Sequence, residues 1–342
     1  MDTSVLAMAA SALAAGLAFG YVAQRGGFCL TRALANLVLM GDTSIARAYV
    51  LALVIAVAGT YLLATVGAHL PMLEFAEQIP VRPFRWLANL VGGFVFGIGM
   101  VLSGGCSGST WYRLGEGAIG AWIVLFGFAL GATATNVGLV APVRQTLQES
   151  ELTLGDQPVT LYNLVGLLGV PSWVVVAVVV LVAGVWLRRR RDAEPEHNKW
   201  RWPFTGTAMG LVIVLGWYLS SFGGVPVGIT FAENTGHLLT YPLVWFPNRV
   251  TWGMVMLLGV PLGAGLAAWR SGEFAWKLPA GYTGVKLFAG GLVMGVGALI
   301  AQGCNITQGL TYSATLAVGS LTAFAAMLAG GWMALWVLFL RK

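Results

Sequence analysis

Of 342 residues, 58% are hydrophobic and 9% are charged, where a soluble domain carries about 25% charged residues. The mean hydropathy of +0.80 places most of the surface against something other than water, which excludes an ordinary soluble domain. Three cysteines with no CxxC or Cys/His spacing, and histidines scattered at His69, His197 and His237, exclude a disulfide framework and give no metal site.

Apolar runs long enough to cross a bilayer as helices begin near Val5, Arg47, Trp86, Gly117, Tyr162, Phe204, Arg249, Lys286 and Gly319. No basic stretch precedes the first, so a cleaved signal peptide is not expected. With nine alternating spans and the N-terminus outside, fifteen of the nineteen Lys and Arg fall inside, and only Arg82, Arg85, Arg144 and Arg249 fall outside. Reversing the orientation inverts that bias, so the +6 charge reads as the positive-inside signal and not as a nucleic-acid footprint. The expected location is the inner membrane of a bacterium, with the C-terminus cytoplasmic.

Within the third run, residues 92–106 read GGFVFGIGMVLSGGC; residues 290–304 read GGLVMGVGALIAQGC. Gly92, Gly93, Gly97, Gly99, Gly105 and Cys106 recur at a constant offset of 198. An extra span and a charged linker, RRRRDAEPEHNKWRW, separate the copies. An odd number of crossings between equivalent spans makes the second copy enter from the opposite side. The expected fold class is therefore an all-α polytopic membrane protein of about nine transmembrane helices plus re-entrant half-helices, arranged as two inverted pseudo-symmetric repeats. The first repeat covers residues 1–160, the extra helix and linker 161–203, and the second repeat 204–342. Small-xxx-small pairs such as Gly16/Gly20, Gly93/Gly97, Gly127/Gly131, Gly206/Gly210, Gly259/Gly263 and Gly291/Gly295 predict close helix packing. Trp and Tyr read mostly as interfacial anchors.

Each cysteine stands beside glycine at the end of an apolar run: QRGGFCLTRA (24–33), LSGGCSGST (102–110) and AQGCNITQGL (301–310). A short helical pattern follows each one, to about Met40 after Cys29 and to about Thr315 after Cys304. These read as re-entrant breaks, in which unpaired backbone at membrane depth must line a polar or protein-filled cavity. A half-helix beginning at the cysteine directs free amides into that cavity and favours an anion. Gly27, Gly105 and Gly303 let the backbone approach a ligand. The thiols of Cys29, Cys106 and Cys304 suit a soft sulfur acceptor, while Ser103, Ser107, Ser109, Asn305, Thr307 and Gln308 suit harder oxygens. A soft sulfur end with hard oxygens describes thiosulfate and related anions. The competing readings are buried cysteine as inert packing, a membrane thiol-redox protein, and a permease for another small solute such as a selenium compound. No ATP-binding loop is present.

These motifs, together with the duplication, resemble the YeeE/YedE-like sulfur transport family over nearly the whole chain. The resemblance implies a transporter and not an enzyme, with no cofactor. It implies uptake of thiosulfate or a related anion by relay along Cys304, Cys106 and Cys29, with Cys106 central. It also implies, as a possible partner, a small cytoplasmic sulfur-carrier protein of the TusA type. Cys29 has no thiol counterpart in SSFGGVPVGITFAENTG of the second half, which makes the cavity asymmetric. Arg82, Arg85 or Arg249 would draw the anion to the outer mouth, with ordinary interfacial anchoring as the alternative. Arg25, Arg32, Arg113 and Glu116 flank the motifs, where charge is either functional or snorkelling.

Overall fold

The computed structural model describes residues 3–67, 79–153, 159–166, 169, 171–188, 199–241, 250–279 and 283–341. Its first half comprises α1 (Thr3–Gly26), the short α2 (Leu30–Ala35) with a π-helical turn at Asn36–Met40, α3 (Ser44–Gly67), α4 (Trp86–Leu102), the nine-residue α5 (Ser107–Gly115) and α6 (Ile119–Asn136). Helices α7 (Ala141–Gln148), α8 (Leu161–Gly166) and α9 (Ser172–Arg188) follow. The second half contains α10 (Trp202–Ser221), α11 (Ala232–Thr240), α12 (Trp252–Arg270), α13 (Thr283–Ile300), a helical segment at 305–311 and α14 (Val318–Leu335).

Among the described residues eight helices are long and apolar enough to cross a membrane, so the protein is a multi-pass membrane protein. The run expected to cross from Tyr162 is instead divided into α8 and α9. Gly169 between them takes a left-handed φ of +73°, and Pro171 has no N–H to continue a helix. α9 is apolar but has 17 residues, short of the 18 of the shortest of those eight spans. A two-residue antiparallel ribbon, Phe84–Arg85 against Glu151–Leu152, adds strand that the all-helical expectation did not include.

α1, α4 and α6 fall on α10, α13 and α14 at the offset of 198, α3 falls on α12 at a slightly larger one, and the two sets pack crosswise. α1 lies against α12 while α3 lies against α10; α4 lies against α14 while α6 lies against α13; α4 and α13 cross each other. That central crossing is backbone on backbone. A Cβ added at Gly92 would stand 2.4 Å from the Ala301 nitrogen, and one at Gly290 would stand 2.4 Å from the Ser103 nitrogen. Gly99 and Gly297 likewise face the nitrogens of Met294 and Phe96, at 2.4 and 2.3 Å. Each contact is the other's equivalent shifted by 198.

The expected small-xxx-small pairs all fall at such contacts. Gly16 and Gly20 meet the carbonyls of Met256 and Val260, and Gly93 and Gly97 those of Ala323 and Met327. Where lipid gives no hydrophobic drive, close backbone approach supplies the van der Waals attraction that holds helices together. Large apolar side chains such as Leu62, Trp122, Phe126, Leu181 and Leu262 point outward instead, as a lipid-facing surface requires.

Gly97→Val forces a Cβ to within 2.2 Å of the Met327 carbonyl, and overpacking of this kind costs about 1–3 kcal/mol. A fall of at least ~2 °C in the detergent melting temperature is expected. Gly184→Val on α9, where nothing lies within 4 Å, should leave it unchanged.

Candidate transport site

All three cysteines are buried, and each stands at the start of a short helix. The carbonyls of Cys29, Cys106 and Cys304 accept the first helical bonds from Ala33, Thr110 and Gln308, at 2.9, 2.9 and 2.7 Å. This is what marks an N-cap position. The breaks are made by the preceding residues. Gly27 takes φ +57° before Phe28 and Cys29, and Gly104 takes φ +69° before Gly105 and Cys106. Its counterpart in the second copy is Gln302, held at φ +61° although it carries a side chain. A left-handed non-glycine residue is strained, so the second break is the more constrained of the two. At Gly105 and Gly303 an added Cβ would come within 2.8 Å of the Ser109 hydroxyl and 2.7 Å of the Thr307 methyl. These glycines give room to the turn that follows them.

The two duplicated half-helices touch at equivalent positions. Ser107 and Asn305, 198 residues apart, each follow their cysteine, and the Ser107 hydroxyl donates to Asn305 Oδ1 at 3.2 Å. Asn305 Nδ2 donates in turn to the Tyr49 hydroxyl at 2.7 Å. Gly108 lies against its own equivalent, Ile306. The meeting point of the two copies is therefore polar, fully buried and built around one tyrosine. The Tyr49 hydroxyl thus bonds to the residue after Cys304, and its ring stacks on Phe28, the residue before Cys29, at 4.3 Å and on Phe324 at 6.1 Å.

The thiol of Cys29 lies beside the thiol of Cys106 and the Ser109 hydroxyl. Cys304 contacts the Thr307 hydroxyl at 3.4 Å. The structure thus gathers Cys29, Cys106, Cys304, Ser107, Ser109, Asn305 and Thr307 around Tyr49. Gln308 has another employment. It donates to the Ala301 carbonyl and accepts from the Ser320 hydroxyl at 2.6 Å, so it braces the break against α14. Ser103 similarly donates to the carbonyls of Met100 and Gly105.

Tyr49 was not legible as a site residue, because an isolated tyrosine early in an apolar run reads as an interfacial anchor. That expectation also misplaces Trp111, Trp217 and Trp252, all of which are buried. Trp111 and Trp252 go inside with their indole N–H bonded to Thr235 and Ser11, the condition under which such rings are buried.

A cavity of about 870 Å³ runs from Cys29, Ser109 and Tyr112 to one face of the molecule, where Arg32, Arg113, Glu116, Lys199, Glu273 and Lys277 line it. Arg32, Arg113 and Glu116 were flagged beside the motifs; Lys199 and Glu273 come from distant segments. Lys199 pairs with Glu273 at 2.6 Å, and the same carboxylate accepts from Gln24 at 2.6 Å. Arg82 pairs with Glu233 at 3.5 Å and lies over the Tyr312 ring, while Arg85 pairs with Glu151 at 3.0 Å. Both guanidinium groups are thereby engaged within the protein. Arg249 lies outside the described residues.

Removing the amide that joins the two copies, in Asn305→Ala, leaves the Ser107 and Tyr49 hydroxyls buried without it. The expected cost is about 1–3 kcal/mol, seen as a lower detergent melting temperature than for Ser107→Ala. A second expectation concerns pH. Burial pushes the Glu116 carboxyl above its usual range, with Lys199 and Arg113 opposing the shift. A carboxyl raised in the folded state contributes stability below its unfolded pKa of about 4.3, and that contribution is lost as pH rises through the folded value. Glu116→Gln should therefore melt higher than the wild type at pH 8 and match it at pH 4.

The profile of the family described as sulphur transport matches residues 25–333. The chain is 31% identical to the thiosulfate transporter TsuA of Escherichia coli K12, over 98% of this chain and 96% of that protein. It is also 31% identical to the thiosulfate transporter TsuA of Spirochaeta thermophila, over 96% and 98% respectively. The probable transporter YedE of Escherichia coli K12 matches at 30% over 34% of this chain and 27% of its own length. A sequence duplicated about buried Gly-Cys breaks, a cation-lined cavity ending on a thiol and a family match across nearly its whole length converge: this chain belongs to the sulphur transport family.

Proposed function

We propose that this protein takes thiosulfate, or a closely related sulfur-containing anion, across the bacterial inner membrane by relay along Cys304, Cys106 and Cys29. The observation that carries the reading is the burial of all three thiols at Gly-Cys breaks, with the half-helices after Cys106 and Cys304 touching and Cys29 beside Cys106. A thiol donates weakly to a polarisable sulfur, so adjacent thiols can hand such an atom on without opening a continuous pore. The two thiosulfate transporters that align over nearly the whole chain support the same substrate.

In this reading the two halves, 1–160 and 204–342, are inverted repeats about the Ser107–Asn305 contact, and 161–203 carries the extra crossing and linker. α9 is that ninth crossing. Its 17 residues span about 26 Å at 1.5 Å per residue, near the ~30 Å hydrocarbon core, and a shortfall of that size is accommodated locally. The N-terminus is outside and the C-terminus cytoplasmic, with the basic residues inside. The cavity reaching Cys29 is then the cytoplasmic exit, where a small sulfur-carrier protein of the TusA type would receive the sulfur.

A second reading, thiol redox, draws support from the contact between Cys29 and Cys106, which places two thiols where a bridge could form. The two readings separate by experiment. A sulfur-auxotrophic bacterium is grown on thiosulfate with the wild type or with Cys29→Ala, Cys106→Ala or Cys304→Ala, at matched membrane levels. Relay predicts rescue by the wild type, at least tenfold slower growth for Cys106→Ala, and wild-type transport that is insensitive to a reductant. Full rescue by all three variants would make the thiols packing, and reductant-sensitive transport would favour the redox reading.

A further inference from the structure

Asn305 Nδ2 donates to the Tyr49 oxygen at 2.7 Å, and this bond uses Tyr49 as an acceptor only. Among the described residues no acceptor is assigned to the phenol proton. The residue is 5% exposed, and a buried hydroxyl proton without an acceptor calls for an explanation. The arrangement upstream of it is directional. Ser107 donates to Asn305 Oδ1 at 3.2 Å, which orients the amide so that its N–H faces Tyr49. Three groups thus form a polarised chain whose last proton is left to offer. The ring cannot turn away, because Phe28 lies 13° from parallel on one ring contact and Phe324 14° on the other. Asn305, Ser107 and Phe28, which build this arrangement, are the chain neighbours of Cys304, Cys106 and Cys29.

Resting on the transport reading above, we infer that the Tyr49 hydroxyl is the donor to the oxygen end of the substrate while the thiols take its sulfur end. Recognition is then two-ended. An anion with only oxygens loses the thiol contacts, and an anion with only a soft sulfur terminus loses Tyr49. The tyrosine belongs to one half alone, since the stretch of the second half matching it, 246–249, reads FPNR. The oxygen end is therefore read from one side of the duplicated centre, and the anion is held in one orientation as it passes.

The test is uptake of radiolabelled thiosulfate into liposomes containing the purified full-length protein, comparing wild type with Tyr49→Phe, which keeps both ring stacks. The expected result is a KM raised about tenfold with the maximal rate within twofold of wild type. A merely structural role would lower the amount of active protein and the maximal rate while leaving KM in place, and that result would overturn the assignment. Should Tyr49→Phe fail to reconstitute, 3-fluorotyrosine at position 49 gives a stronger donor of nearly the same shape. It is expected to lower KM at least twofold at pH 6.5, and an unchanged KM would overturn the assignment. Wild-type liposomes that take up no thiosulfate would remove the transport reading and this assignment with it. Uptake by wild type with the KM of Tyr49→Phe unchanged would remove this assignment alone.

Discussion

The structure depends on the crossing of α4 and α13, where two helices meet backbone to backbone at glycine. Without side chains between them they run antiparallel, the last turn of each against the first half of the other. The Gly-Cys breaks that end them fold back, and the half-helices after Cys106 and Cys304 meet at Ser107 and Asn305. Ser107 can reach Asn305 only because Gly92 and Gly99 on one helix, and Gly290 and Gly297 on the other, admit the neighbouring chain so closely. In lipid this contact cannot draw on the hydrophobic effect, so it has to be made by proximity.

Charge is distributed about that centre by the same logic. The centre is built from thiols, hydroxyls and an amide, whereas the cationic side chains line the cavity mouth beyond Cys29. Placing full charges at the centre would be costly; placing weak donors there lets an anion be held without being trapped. At the mouth, the Lys199–Glu273 pair and Gln24 keep part of the positive charge balanced. The deep part of the path is then soft and neutral, and its outlet is polar and charged. The asymmetry between the halves fits this gradient. Cys29 and Tyr49 sit in the first half, while the matching stretches of the second, 225–228 and 246–249, hold neither cysteine nor tyrosine.

The features carried by local composition were readable from the residues alone. They include the membrane class, the helical repeat at an offset of 198, the packing glycines and the breaks before Cys29, Cys106 and Cys304. Each follows from short-range physics: apolar runs of bilayer length, glycine where the backbone must turn or touch, and cysteine at the restart of a helix. What tertiary structure alone decided are the contacts between distant segments. Tyr49 meets Asn305 across 256 residues of separation, and Lys199 meets Glu273 across 74. Nothing near Tyr49 in the chain distinguishes it from an interfacial anchor, and nothing near Gln308 shows that α14 will occupy its amide. The division of the run near Tyr162 lay in plain view at Gly169 and Pro171, but hydropathy alone passes over it. Local sequence therefore determined which thiols, hydroxyls and glycines stand at the breaks. The packing of two halves against each other determined which of them meet, because partner choice in a buried centre is settled by the segments that close over it.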